Sequence, residues 1–215
     1  MQRDLELLIP ELQAWAKDDR EIEGVVEGHG IPGATGFPFA DDLLKQLKDV
    51  GGLSEDFCAR PNWQGFAVET GSFDAHRSDD SVAELLAAGR PLAARRMARV
   101  MALSRLVDEL GNGAPAKVTL ETRSGQGAMA AIETARGCLV HDVALSDGVI
   151  SHYAILAPTE WNFHPESAWI RRLEGALNSV PKLPVDDIQR IVHAWAMTID
   201  PCVPIRLIPD FDKEN

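Results

Sequence analysis

The spacing of hydrophobic residues along this chain predicts helices in its first and last parts. Apolar residues recur every three or four positions over residues 5–16, although Pro10 interrupts that stretch. The glycine-rich residues 24–38 favour a loop. A short helix is predicted over 41–50, where a Gly-Gly pair ends it.

The clearest helical pattern lies between residues 79 and 111. Ser81 and Glu84 have the spacing of an N-terminal capping box. Gly89 followed by Pro91 predicts the end of one helix and the start of another. Apolar residues share one face of this second helix, which is predicted to end at the glycine that closes the range.

The middle of the chain has the residue types and alternation of β-strands. The predicted strands are residues 116–122, 137–146 and 149–157. Asp147-Gly148 joins the last two as a hairpin turn. Two further helices are predicted to begin at Pro165 and Pro184.

We therefore expect a mainly helical α+β fold in which helices pack on a small antiparallel sheet. The sheet is predicted within residues 116–157, covered by the helices at 79–111 and 184–199. The length of 215 residues and a hydrophobic content of 45% suit one domain over residues 1–215.

The charge and cysteine content exclude several classes of function. A net charge of −12 repels phosphate backbones, so a nucleic-acid partner is not expected. No apolar run approaches the roughly 18 residues of a membrane span, and charged residues interrupt the first ten residues, so we expect no secretory signal and a cytoplasmic protein. The three cysteines are widely spaced and form no C-x-x-C pair, which favours reduced thiols.

Four short strings, in order along the chain, resemble the large subunit of nickel–iron hydrogenases. They are PNWQG with ETG (61–65 and 69–71), ETARGCLVH (133–141), APTEWN (157–162) and DPC (200–202). The resemblance implies a large-subunit-like region over residues 60–205, similar in fold to the C-terminal part of that subunit. Residues 1–55 would then form a divergent N-terminal part.

The resemblance also implies a site. In that family, cysteine thiolates hold an iron that carries cyanide and carbonyl ligands, which makes Cys202 a candidate iron ligand. Cyanide nitrogens accept hydrogen bonds, and the donor roles fall to the guanidinium of Arg136 and to the hydroxyl and backbone of Thr159 after Pro158. The predicted hairpin puts these residues at the same end of two adjacent strands, so one pocket can use both.

Three further residues are weaker candidates. Cys58 precedes the first string in a predicted loop and would supply a second thiolate. Glu27 falls in a string that faintly resembles the family's R-I-E-G-H, whose glutamate relays protons. His141 ends the second string, where a structural role is favoured over metal binding.

Ordinary structural roles stay open for the leading candidates. Cys202 would serve equally as a small buried residue at a helix end. Arg136 needs an anionic partner, which an acidic side chain such as Glu133 would also provide. A solvated helix face is predicted for three arginines, at positions 95, 96 and 99.

The departures from the family pattern bear on activity. In the family's last motif, D-P-C-x-x-C-x-x-H, Ile205 replaces the second cysteine and Ile208 replaces the histidine. Isoleucine does not ligate metals, so we expect no nickel and no hydrogen turnover.

The pattern most resembles hydrogenase accessory proteins of the HupK/HoxV type. The resulting expectation is a non-catalytic scaffold that transiently carries an iron–dicyanide–carbonyl unit, with assembly chaperones and the large-subunit precursor as partners. The alternative is an interaction factor with a vestigial pocket. An enzyme, or a hydrogenase subunit, is the least favoured interpretation.

Overall fold

The structure, a computed structural model, describes residue 37 and residues 40–115, 117–123, 125–179 and 183–208. The helices in this part are α1 (Ala40–Asp49), α2 (Glu55–Ala59), α3 (Ser72–His76), α4 (Asp80–Ala87), α5 (Pro91–Gly111), α6 (Pro158–Asn162), α7 (Ala168–Ser179) and α8 (Val185–Ile199). Within these described ranges no helix is long and apolar enough to cross a membrane. The mainly helical α+β prediction is confirmed.

The strands form one antiparallel sheet in the order β1-β2-β3-β4. Their bounds are β1 (Val118–Arg123), β2 (Gly127–Thr134), β3 (Gly137–Ser146) and β4 (Val149–Leu156). The sequence did not predict β2, because alanine and glycine, which supply half of its residues, favour strands weakly. Asp147 and Gly148 both have positive φ, as the predicted hairpin turn requires.

One face of the sheet is buried, and α1 covers it. Met129, Val140 and Leu156 line that face with no exposed surface, or almost none, and they share a core with three leucines of α1: Leu43, Leu44 and Leu47. The prediction that the helices at 79–111 and 184–199 cover the sheet is wrong. The main helix contact of the sheet is α1, because its three leucines lie on one side of the helix.

The helices predicted to cover the sheet build two other apolar clusters. Val82 and Leu85 of α4 pack on Met97 of α5 in one cluster. Leu92, near the start of α5, packs with α7 and α8 in the other, around Trp195. Helix α5 therefore connects the two clusters.

Two helix starts differ from their predictions. Helix α4 begins at Asp80 with Asp79 as its N-cap residue, so Ser81 lies inside the helix and forms no capping box. The Asp79 carboxylate instead accepts a hydrogen bond from Nδ1 of His76, at 2.8 Å. Helix α7 begins at Ala168, because Pro165 lies in the preceding turn. The start of α5 at Pro91 and that of α8 just after Pro184 agree with the sequence.

A buried carboxylate anchors the loop after α1 to the sheet. Asp142 has no exposed surface, and its oxygens lie 2.6 and 2.8 Å from one guanidinium nitrogen of Arg123. The backbone N–H of Leu53 donates to the same carboxylate at 2.8 Å. A Cβ at Gly52 would lie 2.3 Å from this carboxylate, so the Gly-Gly pair lets the loop approach it.

A second close approach joins the ETG string to the turn between β2 and β3. A Cβ at Gly71 would lie 2.6 Å from the carbonyl oxygen of Arg136, and a Cβ at Gly137 would lie 2.5 Å from the side chain of Thr70. Both glycines have positive φ. Two backbone segments that are distant in sequence therefore touch, and only glycine fits at the contact.

Asp142→Ala should lower the free energy of unfolding by about 3 kcal/mol or more, because it leaves a partly buried guanidinium and a buried N–H without their acceptor. Chemical denaturation monitored by circular dichroism measures this loss. Glu121→Ala is the matched control. It removes an exposed ion pair with Lys48, and a loss below about 1 kcal/mol is expected.

Gly71→Ala should lower the free energy of unfolding by about 2 kcal/mol or more, because alanine is strained at this φ and its Cβ meets backbone. Gly175→Ala is the same chemical change inside α7, where a Cβ meets nothing within 4 Å. It should stabilise by roughly 0.5–1 kcal/mol. Equal effects of the two substitutions would contradict the close approach.

Candidate functional site

Three of the four family-like strings meet at one side chain, Asn162 of α6. Its Oδ1 accepts a hydrogen bond from the backbone N–H of Thr70 at 2.8 Å, and its Nδ2 donates to the carbonyl of Arg136 at 3.2 Å. The hydroxyl of Thr70 in turn accepts from the N–H of Cys138 at 3.0 Å. One buried amide thus joins the ETG string, the β2–β3 turn and the segment after β4.

A buried ion pair lies beside this junction. A guanidinium nitrogen of Arg95 is within hydrogen-bonding distance of Glu69, and its guanidinium carbon lies 4.1 Å above the ring centre of Phe73. Burial raises the pKa of the Glu69 carboxyl, and the charge and hydrogen bond of Arg95 oppose that rise. Arg95 is 3% exposed, so its predicted place on a solvated face is wrong.

The fourth string enters the site through Asp200, which follows α8. Its carbonyl accepts a hydrogen bond from Nε of Arg136 at 2.9 Å, and its carboxylate lies 3.5 Å from the same nitrogen. On its other side the carboxylate lies 3.2 Å from Arg99 of α5. The anionic partner of Arg136 is therefore Asp200, and the alternative partner Glu133 is not needed.

The thiol of Cys202 lies against the segment after β4. Its Sγ is 3.1 Å from Oγ1 of Thr159, which stands at the start of α6 beside the buried Pro158. Cys202 is exposed, so the alternative of a small buried residue at a helix end does not describe it. The structure thus brings the Cys202 thiol and the Thr159 hydroxyl together. Arg136 is bonded to Asp200, which lies two residues before Cys202.

A small cavity of about 20 Å³ is lined by Arg136 but by neither Thr159 nor Cys202. Its lining includes Glu69, Arg95, Arg99, Arg136 and Asp200. The volume is close to that of one water molecule. A polar cavity with three guanidinium groups and two carboxylates suits water or a small anion better than an apolar ligand.

The other two cysteines have surroundings that differ from those of Cys202. Cys58 is part of α2, not of a loop, and packs against the core of the sheet. Burial, followed by the negative charges of Glu160 and Asp142, raises the pKa of its thiol. Burial and the charge of Glu133 raise the pKa of Cys138 to about 12. Both environments disfavour the thiolate that metal binding requires.

Two remaining candidates have different outcomes. His141 points to the outer face of the sheet, where its Nδ1 lies 2.8 Å from the hydroxyl of Tyr153 and the two rings stack. This pairing places His141 apart from Cys202. Glu27 lies outside the described residues.

The sequence did not single out several residues that build the site: Glu69, Arg95, Arg99, Asn162 and Asp200. Three of them lie inside the family-like strings, which was the available signal. The two arginines are four residues apart and therefore share a helix face, but that spacing is equally typical of a solvated face.

The donor set limits the metal chemistry. Within the part of the chain that the structure describes, no three His, Cys, Asp or Glu side chains are placed to hold a metal ion. A stable resident metal centre does not fit these residues.

Comparison with known proteins assigns this sequence to a family. The profile of the nickel-dependent hydrogenases matches residues 87–205. The hydrogenase expression/formation protein HoxV of Cupriavidus necator is 34% identical over 176 residues, which are 76% of this chain and 43% of that protein. Two proteins named HupK are similar: 35% identity over 173 residues for Bradyrhizobium diazoefficiens and 29% over 177 for Rhizobium leguminosarum, each covering 77% of this chain and 44% of the relative.

Among solved structures, a nickel–iron–selenium hydrogenase from Desulfovibrio vulgaris Hildenborough superimposes with a TM-score of 0.46 and 21% identity, over 66% of this chain and 36% of that one. This chain spans less than half the length of the curated relatives it matches. The family profile covers more than half of its 215 residues and includes Arg136, Thr159 and Cys202. The chain therefore belongs to the nickel-dependent hydrogenase family.

Proposed function

We propose that this chain is a non-catalytic accessory protein of nickel–iron hydrogenase maturation that transiently holds an iron–dicyanide–carbonyl unit. The observation that carries the proposal is the 3.1 Å approach of the Cys202 thiol to the Thr159 hydroxyl, with Arg136 bonded to the neighbouring Asp200. The names of the relatives, hydrogenase expression/formation proteins, support the same role.

The chemistry of the site supports a carrier over an enzyme. Ile205 stands where the family's last motif has its second cysteine, so this segment lacks that metal ligand, and Ile208 stands where the motif has the histidine of its maturation cleavage. A single thiolate, Cys202, would be the protein's covalent hold on the iron. Because one soft ligand binds an iron less firmly than four do, the cargo would leave readily, as transfer requires.

The hydrogen-bond donors around the thiol suit cyanide. The Thr159 hydroxyl contacts the sulfur itself at 3.1 Å, so it would turn from the sulfur to donate to a cyanide nitrogen of an iron bound there. Arg136 is 41% exposed and is held by Asp200, so it would exchange this carboxylate for the cyanide of the cargo. Exchanging one anionic partner for another costs less free energy than leaving the guanidinium without any partner.

The partners follow from this role. A carrier receives its cargo from the assembly chaperones that build the iron unit and delivers it to the large-subunit precursor. Both steps would take place in the cytoplasm.

A second candidate is an interaction factor whose pocket is vestigial. Two observations favour it: Arg136 is already paired with Asp200, and the cavity that Arg136 lines has a volume of only about 20 Å³. Such a factor would bind the same assembly proteins but no iron. Metal content separates the two candidates.

Protein purified without oxygen from a host that makes hydrogenase should show cyanide and carbonyl stretching bands in its infrared spectrum, in a window where proteins do not absorb. Cys202→Ser should remove the bands, because an alcohol does not replace the thiolate on a soft iron. Elemental analysis should find iron without stoichiometric nickel. Cys58→Ser is the matched control and should keep the bands.

The opposite results would be decisive. Absent bands in protein from a fully competent host would exclude the carrier and leave the interaction factor. About one nickel per chain, lost in Cys202→Ala, would overturn both candidates, because each assigns the protein no nickel site.

Arg136→Ala should reduce iron retention severalfold while leaving the thermal unfolding temperature nearly unchanged, because the side chain is partly exposed and fills no core volume. Arg136→Lys should retain part of the iron, since lysine keeps the charge but not the planar fork. Arg171→Ala, which changes an exposed arginine on α7, is the control and should retain all of it. Loss of folding in Arg136→Ala would show that Arg136 is a structural ion-pair partner instead.

A further inference from the structure

Arg99 of α5 reaches the turn that leads from α8 to Cys202. One of its terminal nitrogens donates to the carbonyl of Met197 at 3.3 Å, and the other lies 3.2 Å from the carboxylate of Asp200. A single guanidinium therefore holds both the last turn of α8 and the residue after it. The Arg99 side chain is 37% exposed, so it is partly shielded from solvent.

Asp200 adopts a left-handed backbone conformation that is uncommon for residues other than glycine, although aspartate tolerates it better than most. Its φ of 61° and ψ of 62° are left-handed, and its N–H donates to Met197 at 3.3 Å. Helices commonly end on such a residue, but it is usually glycine or asparagine. An aspartate in this conformation is disfavoured unless its surroundings hold it there.

The surroundings of Asp200 hold it from two sides. Arg99 approaches one carboxylate oxygen from α5, whereas Arg136 approaches the other oxygen and the carbonyl from the β2–β3 turn. A residue restrained at its carboxylate and its carbonyl has little freedom to change φ or ψ. The two arginines thus fix the direction in which the chain leaves α8.

That direction determines where the thiol lies. Cys202 is two residues after Asp200, and the intervening Pro201 has a restricted φ. A change of Asp200 to an extended conformation would redirect the chain and move the sulfur away from Thr159. The 3.1 Å approach of sulfur and hydroxyl therefore depends on the left-handed turn.

We infer that Arg99 is a positioning residue for Cys202: through the carboxylate of Asp200 it keeps the thiol against Thr159. None of the four family-like strings contains Arg99, and its side chain contacts Met197 and Asp200. The inference rests on the proposed function only in the assignment of the Cys202 thiol to iron binding.

A purely structural role for Arg99 makes a different prediction. If Arg99 only joined α5 to α8, its removal would lower stability but leave the thiol beside Thr159 in every folded molecule. The deciding measurement must therefore report the distance between these two side chains in folded protein.

Disulfide trapping provides that measurement. In Thr159→Cys the introduced thiol should lie close enough to Cys202 for the oxidant diamide to join the two, and peptide mass spectrometry identifies the pair. Adding Arg99→Gln should slow the trapping about tenfold, the effect expected from losing one charge-assisted hydrogen bond. Arg105→Gln, which changes an exposed arginine on the same helix, should leave the rate unchanged.

Two further variants test the route through Asp200. Arg99→Lys should restore most of the trapping rate, because lysine keeps a cation opposite the carboxylate. Asp200→Gly keeps the left-handed conformation available but removes the carboxylate, so it should trap as slowly as Arg99→Gln. Circular dichroism of each variant confirms that the rates come from folded protein, and Asp200→Gly supplies the test should Arg99→Gln fail to fold.

An unchanged trapping rate in folded Arg99→Gln, or in Asp200→Gly, would overturn the inference. The outcome is independent of the infrared experiment. Trapping that depends on Arg99 in a protein without cyanide bands would keep the positioning role and remove the carrier function. Cyanide bands together with a trapping rate that does not depend on Arg99 would keep the carrier function and remove the positioning role.

Discussion

The site depends on a contact between two backbone segments that leaves no room for side chains. The ETG string and the β2–β3 turn touch at Gly71 and Gly137, and Asn162 bonds to both segments. Burying an amide costs free energy unless its donor and acceptor groups form hydrogen bonds. The amide of Asn162 therefore favours the arrangement in which both backbone segments bond to it. The position of Arg136 and that of α6, which carries Thr159, follow from this contact.

Charge is distributed unevenly in this acidic protein. The net charge is −12, yet three arginines, at positions 95, 99 and 136, converge on one small cavity with two carboxylates. The buried Arg95 is paired with Glu69, because an unpaired buried charge is costly, and the partly exposed Arg99 and Arg136 share Asp200. The consequence is a local excess of positive charge around this cavity.

The three cysteines show how environment separates residues of one type. Cys138 lies in the sheet core with its pKa raised to about 12, and Cys58 is partly buried beside carboxylates that also raise its pKa. Cys202 is exposed and contacts a hydroxyl. Access and neighbours therefore separate Cys202 from the other two cysteines.

The sequence by itself determined the local features: the start of α5 at Pro91, the Asp147-Gly148 hairpin and the grouping of Arg136, Pro158 and Thr159 at one end of adjacent strands. These depend on backbone preferences of a few neighbouring residues, which periodicity and turn chemistry express directly. The sequence missed β2 and misplaced Arg95 and the helix that covers the sheet. Only the tertiary structure decided those, and the pairing of Arg136 with Asp200 as well, because burial and ion pairing join residues that are far apart along the chain and override weak local propensities.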